Sequence, residues 1–252
     1  FVYRLTVSGT TITADLLENT GNNLRSGRAQ IVNNPTTDVF MIASKDTSAS
    51  NKFGVGRTFS LSASAFSMAT VSLSFSSTVA GNLTLAYDTS IDRYVVTWQD
   101  SSANYVYYCV GIPGANTSSD IMTWGTATAL VSSASIVYAD YLSTSYNTAK
   151  DRVVTIYESD SDDKLYYSVG EVAASSVTWT AGTAFSTSNN DYPVNYYDST
   201  AERNIVAYYE NSPQQGQVNV MTLAGDYPNL TASNFVGIAD AAITSDATFV
   251  VT

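Results

Sequence analysis

Three segments between residues 82 and 210 repeat one pattern, and this repetition limits the possible folds more than any other feature of the chain. They read NLTLAYDTSIDRYVVTWQD, YLSTSYNTAKDRVVTIYES and YPVNYYDSTAERNIVAYYE, and they align without a gap. The copies are separated by about 59 and about 51 residues, a spacing typical of units that each form one small sheet. Because such units bury their faces only against neighbouring copies, the pattern predicts a stack of similar sheets.

Each copy has a tyrosine before its turn, an arginine where the next strand starts and a large aromatic residue where that strand ends. These structural repeat residues are Tyr87, Tyr146 and Tyr197, then Arg93, Arg152 and Arg203, and finally Trp98, Tyr157 and Tyr208. A large aromatic side chain that recurs in every unit is expected to fill the gap between adjacent units. We therefore interpret these positions as structural.

Two further strand-like runs follow in each unit, YVYYCVG and IMTWGTATAL in one and KLYYSVGEV and SVTWTAGTAF in the next. Runs rich in β-branched and aromatic residues, bounded by Asp, Asn and Ser, are typical of sheet strands. Four antiparallel strands per unit correspond to one blade of a β-propeller. The sequence therefore predicts an all-β fold in which residues 1–252 form a single β-propeller domain.

The predicted blades cover residues 28–78, 81–131, 139–186 and 190–230. Residues 1–15 resemble the outer strands of a blade and residues 235–252 the inner strands, since ITSDATFVVT aligns with DTSIDRYVVT. Joined, they would form a closing blade in a ring of about five, which leaves no sheet edge exposed. Alternatively, residues 235–252 begin a following segment and further blades precede Phe1, because the chain starts without Met and is expected to be part of a longer protein.

Composition excludes several classes of function. The net charge is −11, the pI is about 4.2 and there is no histidine. A chain with this negative charge repels the phosphates of nucleic acid, so nucleic acid is not expected as a partner. No apolar run is long enough to cross a bilayer, so membrane insertion is not expected either. Without histidine, Ser-His-Asp triads, Cys-His pairs and His-zinc sites cannot form.

Cofactor and metal motifs are also missing from the sequence. There is no glycine-rich nucleotide loop, and the acidic run ESDSDDK at residues 158–164 lacks the glycine and the closing glutamate of a calcium loop. We therefore interpret that run as a hairpin turn and expect no cofactor and no metal. Cys109 lies in a strand-like run and is expected to be a small buried side chain.

Two sets of residues have both a structural and a functional interpretation. Trp124 and Trp179 lie on predicted outer strands, where an aromatic ring either seals a blade or stacks on a sugar, so they are candidate glycan-binding residues. Asp92, Asp151 and Glu202 directly precede the repeated arginines. We interpret them as turn residues; the alternative is a ring of carboxylates on one face that binds a cation or acts in a glycosidase.

The repeat core is Tyr-Asp/Asn-x-x-x-Asp/Glu-Arg, a β-branched strand ending in Trp or Tyr, then YxVG and TWGTA. It resembles β-propeller repeats in tail-fibre and other virion surface proteins of marine phages, cyanophages among them. LTASNFVGIADAAI, residues 230–243, is similar to the segment that often follows those repeats. The resemblance implies a non-enzymatic structural protein on the extracellular surface of a phage particle, in a tail fibre or a capsid-associated appendage.

The same resemblance implies partners. They are other virion proteins, further copies of this chain in a homo-oligomer, and a glycan or protein of the host surface that serves as receptor during attachment. Two alternatives remain open, a bacterial surface adhesin and a glycoside hydrolase with a five-bladed propeller. The hydrolase requires two carboxylates about 5 to 10 Å apart, for which Glu171 and Asp191 are candidates.

Overall fold

The computed structural model describes residues 2–18, 29–35, 37, 39–45, 54–61, 66–68, 73–76, 80–100, 105–114, 122–131, 141–159, 161–187 and 189–223. All regular elements in these residues are β-strands, so the prediction of an all-β fold is confirmed. In the same residues, no helix is long and apolar enough to cross a bilayer. The first element is an antiparallel hairpin of β1 (Val2–Ser8) and β2 (Thr11–Glu18).

Four antiparallel sheets follow in chain order. Sheet 1 contains β3 (Gln30–Asn34), β4 (Val39–Lys45), β5 (Gly54–Leu61), β6 (Phe66–Met68) and β7 (Leu73–Ser74). Sheet 2 contains β8 (Ala80–Asp88), β9 (Arg93–Asp100), β10 (Tyr105–Ile112), β11 (Thr123–Trp124) and β12 (Thr128–Val131). Sheet 3 contains β13 (Leu142–Asn147), β14 (Arg152–Ser159), β15 (Lys164–Val172), β16 (Val177–Trp179) and β17 (Thr183–Ala184). Sheet 4 contains β18 (Asn190–Asp198), β19 (Arg203–Glu210) and β20 (Gln215–Met221) within the described residues.

The sheets share one strand order. In sheets 1 to 3 the first three strands pair in sequence, and two short strands then occupy the fourth position, both paired with the third strand. The first strands of successive sheets lie side by side, with β8 between β3 and β13 and with β13 between β8 and β18. The consecutive, repeated sheets agree with the predicted repeat, whereas the number of units and the closing of a ring stay predictions.

Turn chemistry explains where the first and second strands of these sheets meet. Asp92, Asp151 and Glu202 have φ angles of 57°, 54° and 54°, which is the left-handed conformation that ends each turn just before the repeated arginine. The hydroxyl groups of Tyr87 and Tyr146 donate hydrogen bonds of 2.6 Å to Asp92 and Asp151. The repeated tyrosine and acidic positions are therefore linked, and each link secures one turn.

Each interior sheet is buried on both faces. Successive residues of a strand point to opposite faces, so one set of side chains meets the preceding sheet and the other set meets the following sheet. Sheets 1 and 2 meet through Met41, Ala43, Tyr94, Val96 and Trp98; sheets 2 and 3 through Ala86, Val95, Val110, Tyr146, Val153 and Val177; sheets 3 and 4 through Val154, Ile156, Leu165, Val206, Tyr208 and Leu223. The core is therefore a series of layers between sheets.

Candidate functional site

The two ends of the sheets differ in how many of their side chains recur from one sheet to the next. We call the end with the turns between first and second strands the hairpin end, and the end where β13 and β18 begin and β14 and β19 finish the loop end. The hairpin end carries the repeated Tyr, Asp or Glu, and Arg residues. At the loop end, Tyr141 and Tyr192 occupy the same repeat column, whereas sheet 2 has Asn82 there, so a site specific to sheets 3 and 4 can be built at this end.

At the hairpin end, carboxylates connect neighbouring sheets. Asp92 accepts a hydrogen bond of 2.8 Å from Nδ2 of Asn34, and Asp151 accepts one of 2.7 Å from the hydroxyl group of Ser90. Each also accepts the tyrosine hydroxyl of its own turn. No group of three or more His, Cys, Asp or Glu side chains in the described residues could hold a metal ion. These contacts make the acids at this end structural ties.

The repeated arginines also make local contacts. Nε of Arg93 donates a hydrogen bond of 2.8 Å to the carbonyl oxygen of Ala174 in the next unit. Arg152 forms an ion pair of 3.4 Å with Glu171, while Arg203 is half-buried at the start of its strand. An exposed pair of this kind contributes little to stability, so its main effect is to orient the two side chains.

The pair of carboxylates considered from the sequence is not assembled. Glu171 follows Gly170, which is opposite Val153 in sheet 3, and therefore lies at the hairpin end beside Arg152. Asp191 is opposite Tyr209 near the start of β18 and therefore lies at the loop end. The two acids therefore lie at opposite ends of their sheets. The prediction that Glu171 and Asp191 form a catalytic pair is wrong.

The two candidate tryptophans pack between units. The ring of Trp124 meets Phe75 edge-on at 5.2 Å, and the ring of Trp179 meets Tyr108 at 5.6 Å in the same manner. Both residues are half-buried, and their indole Nε1 atoms are buried without a hydrogen-bond partner among the described residues. Stacking of a sugar on these rings stays a prediction; the contacts present are with neighbouring units.

The recurring aromatic side chains occupy related places. Trp98, Tyr157 and Tyr208 are buried where adjacent sheets meet. Tyr197 is half-buried at the hairpin end, where its hydroxyl oxygen accepts a hydrogen bond of 3.2 Å from the backbone N–H of Ala149. Each of these contacts joins a sheet to the one before it.

An aromatic pair stands at the loop end between sheets 3 and 4. Tyr141 and Tyr192 meet edge-to-face with ring centres 4.9 Å apart. Tyr192 is 56% exposed and lies in a bulge of β18, where the register shifts between Asp191 and Val194. Its φ angle is 55°, which is a genuine outlier for a bulky residue. Such strain costs about 1–3 kcal/mol and is found most often at binding and catalytic sites.

Polar groups border this pair. Nδ2 of Asn211 donates hydrogen bonds of 2.6 Å to Asp191 and 2.7 Å to the side-chain oxygen of Asn189. The backbone N–H of Asn211 also donates to the carbonyl oxygen of Asn189 at 3.0 Å. Both hydrogens of one amide group are thus used to hold a carboxylate and a second amide beside Tyr192.

A second carboxylate approaches Tyr141 from sheet 3. The backbone N–H of Glu158 donates a hydrogen bond of 3.3 Å to the carbonyl oxygen of Tyr141, and Glu158 is buried. Burial raises the pKa of Tyr141, and the contact with Tyr192 and the negative charges of Asp191 and Glu158 raise it further. The phenol of Tyr141 therefore remains protonated and can donate a hydrogen bond throughout the physiological pH range.

This arrangement suits a polyhydroxylated ligand. An aromatic ring offers an apolar face to the C–H groups of a sugar ring, while carboxylate and amide groups exchange hydrogen bonds with its hydroxyl groups. Binding sites generally combine such aromatic surface with a few convergent polar groups. The fold and the site together define the class of this molecule, a repetitive β-scaffold with an aromatic and acidic site at one end.

The chain matches no family model and no curated protein sequence. Solved structures with a similar course of the chain include Trypanosoma rangeli sialidase in complex with sialic acid, at 10% identity and a TM-score of 0.48, covering 88% of this chain and 39% of that one. They also include the same sialidase in complex with the inhibitor DANA, at 13% identity and a TM-score of 0.46, covering 85% and 38%. This chain spans well under half the length of those sialidase chains.

This finding corrects one prediction. The absence of enzymatic activity, implied by the resemblance to virion proteins, is wrong on this comparison, because the matched structures are sialidases and therefore enzymes. At 10% and 13% identity, the likeness assigns no substrate and no catalytic residue to this chain.

The sequence contained part of the signal for the loop-end site. Tyr141 and Tyr192 open two of the aligned repeats, and an aspartate precedes each of them, Asp140 and Asp191. Their meeting depends on the packing of sheet 3 against sheet 4 and on the bulge that turns Tyr192 outward. The alignment predicts that neighbouring units stack, but it predicts neither the bulge of β18 nor which side chains of the two sheets meet.

Proposed function

We propose that the chain is a β-propeller of about five blades that binds glycans at its loop end. The four sheets are its successive blades, and the glycan site is formed by Tyr141, Tyr192, Asp191 and Asn211. One observation carries the proposal: Tyr192 is held exposed and strained against Tyr141, with a hydrogen-bonded carboxylate beside it.

The asymmetry between repeated and unrepeated features supports this choice. Left-handed φ angles also occur at Asp92, Asp151 and Glu202, where they recur in each turn and have a structural reason. The angle at Tyr192 belongs to the bulge of β18, has no counterpart at the aligned positions of sheets 2 and 3, and turns a large aromatic ring outward. Backbone strain at such a residue lowers the stability of the folded chain. It is expected at positions where a bound ligand stabilises the strained conformation.

For the biological setting, we propose display on the surface of a phage particle, in a tail fibre or a capsid-associated appendage. The partners there are other virion proteins, further copies of this chain and a receptor on the host surface. The support is the repeat resemblance, together with an acidic surface whose self-repulsion is screened in a salty medium. An antibody against this chain tests the proposed location, because it should label intact phage particles that contain the protein. Particles that stay unlabelled would contradict the proposal.

A glycan array followed by calorimetry of the purified chain tests the binding function. Tyr192→Ala should weaken binding of a captured glycan by about fivefold or more, corresponding to about 1 kcal/mol for a lost aromatic contact. Tyr105→Ala removes a half-buried tyrosine of sheet 2 as the matched control and should leave the affinity unchanged. An array without binding, or equal losses for both variants, would contradict the proposal.

Hydrolysis of a glycosidic bond is the second candidate. Glycosidases generally use a pair of carboxyl groups. Two carboxylates, Asp191 and Glu158, lie close enough to Tyr141 at the loop end for their negative charges to raise its pKa, and this observation favours hydrolysis. A polysaccharide screen tests it. Activity that is lost in Asp191→Asn but kept in Glu171→Gln, an exposed carboxylate at the other end, would support it. If no substrate is cleaved, this second candidate fails and the binding function stands by itself.

A further inference from the structure

The loop end of sheets 3 and 4 is strongly acidic. In the described residues, its charged side chains are five carboxylates and one lysine: Glu158, Asp162, Asp163, Asp191, Glu210 and Lys164. Nζ of Lys164 lies 3.2 Å from Asp162, so this positive charge already has a partner. Five negative charges and one positive charge leave a net charge of −4 at this end. A ligand that approaches the loop end therefore meets a negative potential.

The opposite end of the same two sheets is close to neutral. In the described residues it carries three cations, Lys150, Arg152 and Arg203, and four carboxylates, Asp151, Glu171, Asp198 and Glu202. Three positive charges and four negative charges give a net charge of −1. Because both ends belong to the same sheets, the excess of negative charge does not simply follow from the acidic composition of the chain. It is concentrated at the end that carries Tyr141 and Tyr192.

The carboxylates lie close to this aromatic pair. The carbonyl oxygen of Asp163 accepts a hydrogen bond of 3.2 Å from the backbone N–H of Asn190, so the acidic turn of sheet 3 lies against the residue that precedes Asp191. Burial is the main cause of the raised pKa of Tyr141, and the negative charges of Asp191 and Glu158 also contribute to it. The negative potential therefore acts at the aromatic rings themselves, where a sugar would stack.

We propose, resting on the glycan-binding function above, that the ligand of this site is an amino sugar with a free amine, as in glucosamine units that are not acetylated. Its amine is protonated at neutral pH and is therefore an ammonium group. The face of an exposed aromatic ring attracts such a cation, and Tyr192 is 56% exposed. Asp191 accepts a hydrogen bond of 2.6 Å from Asn211, and because a carboxylate can accept several, it can also accept one from the ammonium group.

The same charges act against two other classes of ligand. A sugar with a carboxylate, such as sialic acid or a uronic acid, is repelled by the negative potential, because like charges brought together in an interface are unfavourable. A metal ion needs several ligands around one point, and no group of three or more His, Cys, Asp or Glu side chains among the described residues could hold one. The dispersed negative charge suits an organic cation on a sugar whose ring packs on Tyr192.

Calorimetry of the full chain with oligosaccharides that differ only in charge tests the inference. The probes are β-1,4-linked tetramers of glucosamine, N-acetylglucosamine and glucuronate, and the same three tetramers in the galactose configuration. The glucosamine or galactosamine tetramer should bind about tenfold more tightly than its N-acetylated counterpart, and the uronate tetramer should bind most weakly. The preference should shrink in about 1 M salt, where charges are screened within about 3 Å. Equal affinities for the three members of a set would overturn the inference.

Substitutions locate the preference at the loop end. Asp191→Asn should lower the ratio of the affinities for the amine and the N-acetylated tetramer by about threefold or more, because it removes one charge beside the ligand. Glu171→Gln removes an exposed carboxylate at the hairpin end and should leave that ratio unchanged. A ratio that Asp191→Asn does not lower would overturn the inference. So would a lysine tetrapeptide that binds as tightly as the amine tetramers, since the site would then recognise positive charge without a sugar.

Failure of this inference can be told apart from failure of the proposed function. A chain that binds neutral or acidic glycans on the array but none of the amine tetramers would overturn the inference and leave glycan binding in place. A chain that binds no glycan of any charge would contradict both.

Discussion

A buried cluster of hydroxyl groups joins sheets 2 and 3, and its contribution to stability can be measured. Oγ1 of Thr97 lies 2.8 Å from that of Thr84 and 2.7 Å from that of Thr144, and the latter two are 2.7 Å apart. The hydroxyl of Thr155 extends the cluster from Thr144 at 3.0 Å. Thr97 and Thr155 are fully buried, so these groups have little access to water as an alternative partner.

The change Thr97→Val removes one hydroxyl group while nearly preserving the volume of the side chain. It breaks two hydrogen bonds, each with a net contribution of about 0.5–1.5 kcal/mol, and it leaves no cavity, so the expected loss is about 2 kcal/mol. In a chain of this size, that loss lowers the melting temperature by about 4–8 °C. The substitution also leaves the hydroxyl groups of Thr84 and Thr144 with fewer hydrogen-bond partners. The loss of unfolding free energy is therefore expected towards the upper end of the range for two hydrogen bonds.

Calorimetry or urea unfolding of Thr97→Val measures this loss. The matched control is Thr128→Val, which removes an exposed hydroxyl group from β12 and should change stability by less than about 0.5 kcal/mol. The double variant Thr84→Val with Thr97→Val should cost less than the sum of the two single changes, because the bond between these groups is counted twice. A Thr97→Val chain as stable as the Thr128→Val chain would refute the reasoning.

Two further predictions concern pH and thiol chemistry. Burial, followed by the hydrogen bonds to Asp92 and Asp151, raises the pKa of Tyr87 and Tyr146, so these phenols stay protonated in the folded state when the unfolded chain ionises near pH 10. The two phenols contribute fully to stability below about pH 10, and this contribution is lost as the pH rises further. The urea midpoint should therefore decrease as the pH is raised above about 10, and it should decrease less steeply in Tyr87→Phe. A midpoint that is unchanged up to about pH 11 would contradict this. Burial also raises the pKa of Cys109 to about 12, so at pH 8 a thiol reagent should react far more slowly with the native chain than with the urea-unfolded chain, and equal rates would contradict this.

Much of the local structure could be predicted from the sequence. Strands, turns and the repeat itself depend on residues close together in the chain, such as the β-branched run of β9 and the acid before each repeated arginine. The all-β class follows from the same local signals. The closing of a ring could be posed from the matching halves at the two termini, but it was not decided by them.

The site residues could be predicted less well. Glu171 and Asp191 are both candidate acids in the sequence, yet one lies beside Arg152 at the hairpin end and the other beside Asn211 at the loop end. Trp124 is a candidate for sugar stacking by residue type, yet its ring packs on Phe75 of another unit. In each case the partner is a residue in another sheet or at another level of the same sheet. Sequence patterns carry no information on which of these will meet.

By itself, the sequence determined the period of the repeat, the strands and the turns, because propensity and alternation act over a few neighbouring residues. Only the tertiary structure decided which faces of the sheets meet, which side chains lie at the loop end and that Tyr192 is turned out against Tyr141. The physical reason is that these contacts join residues about 50 to 80 positions apart, and their geometry is set by packing between whole sheets and by a single bulge.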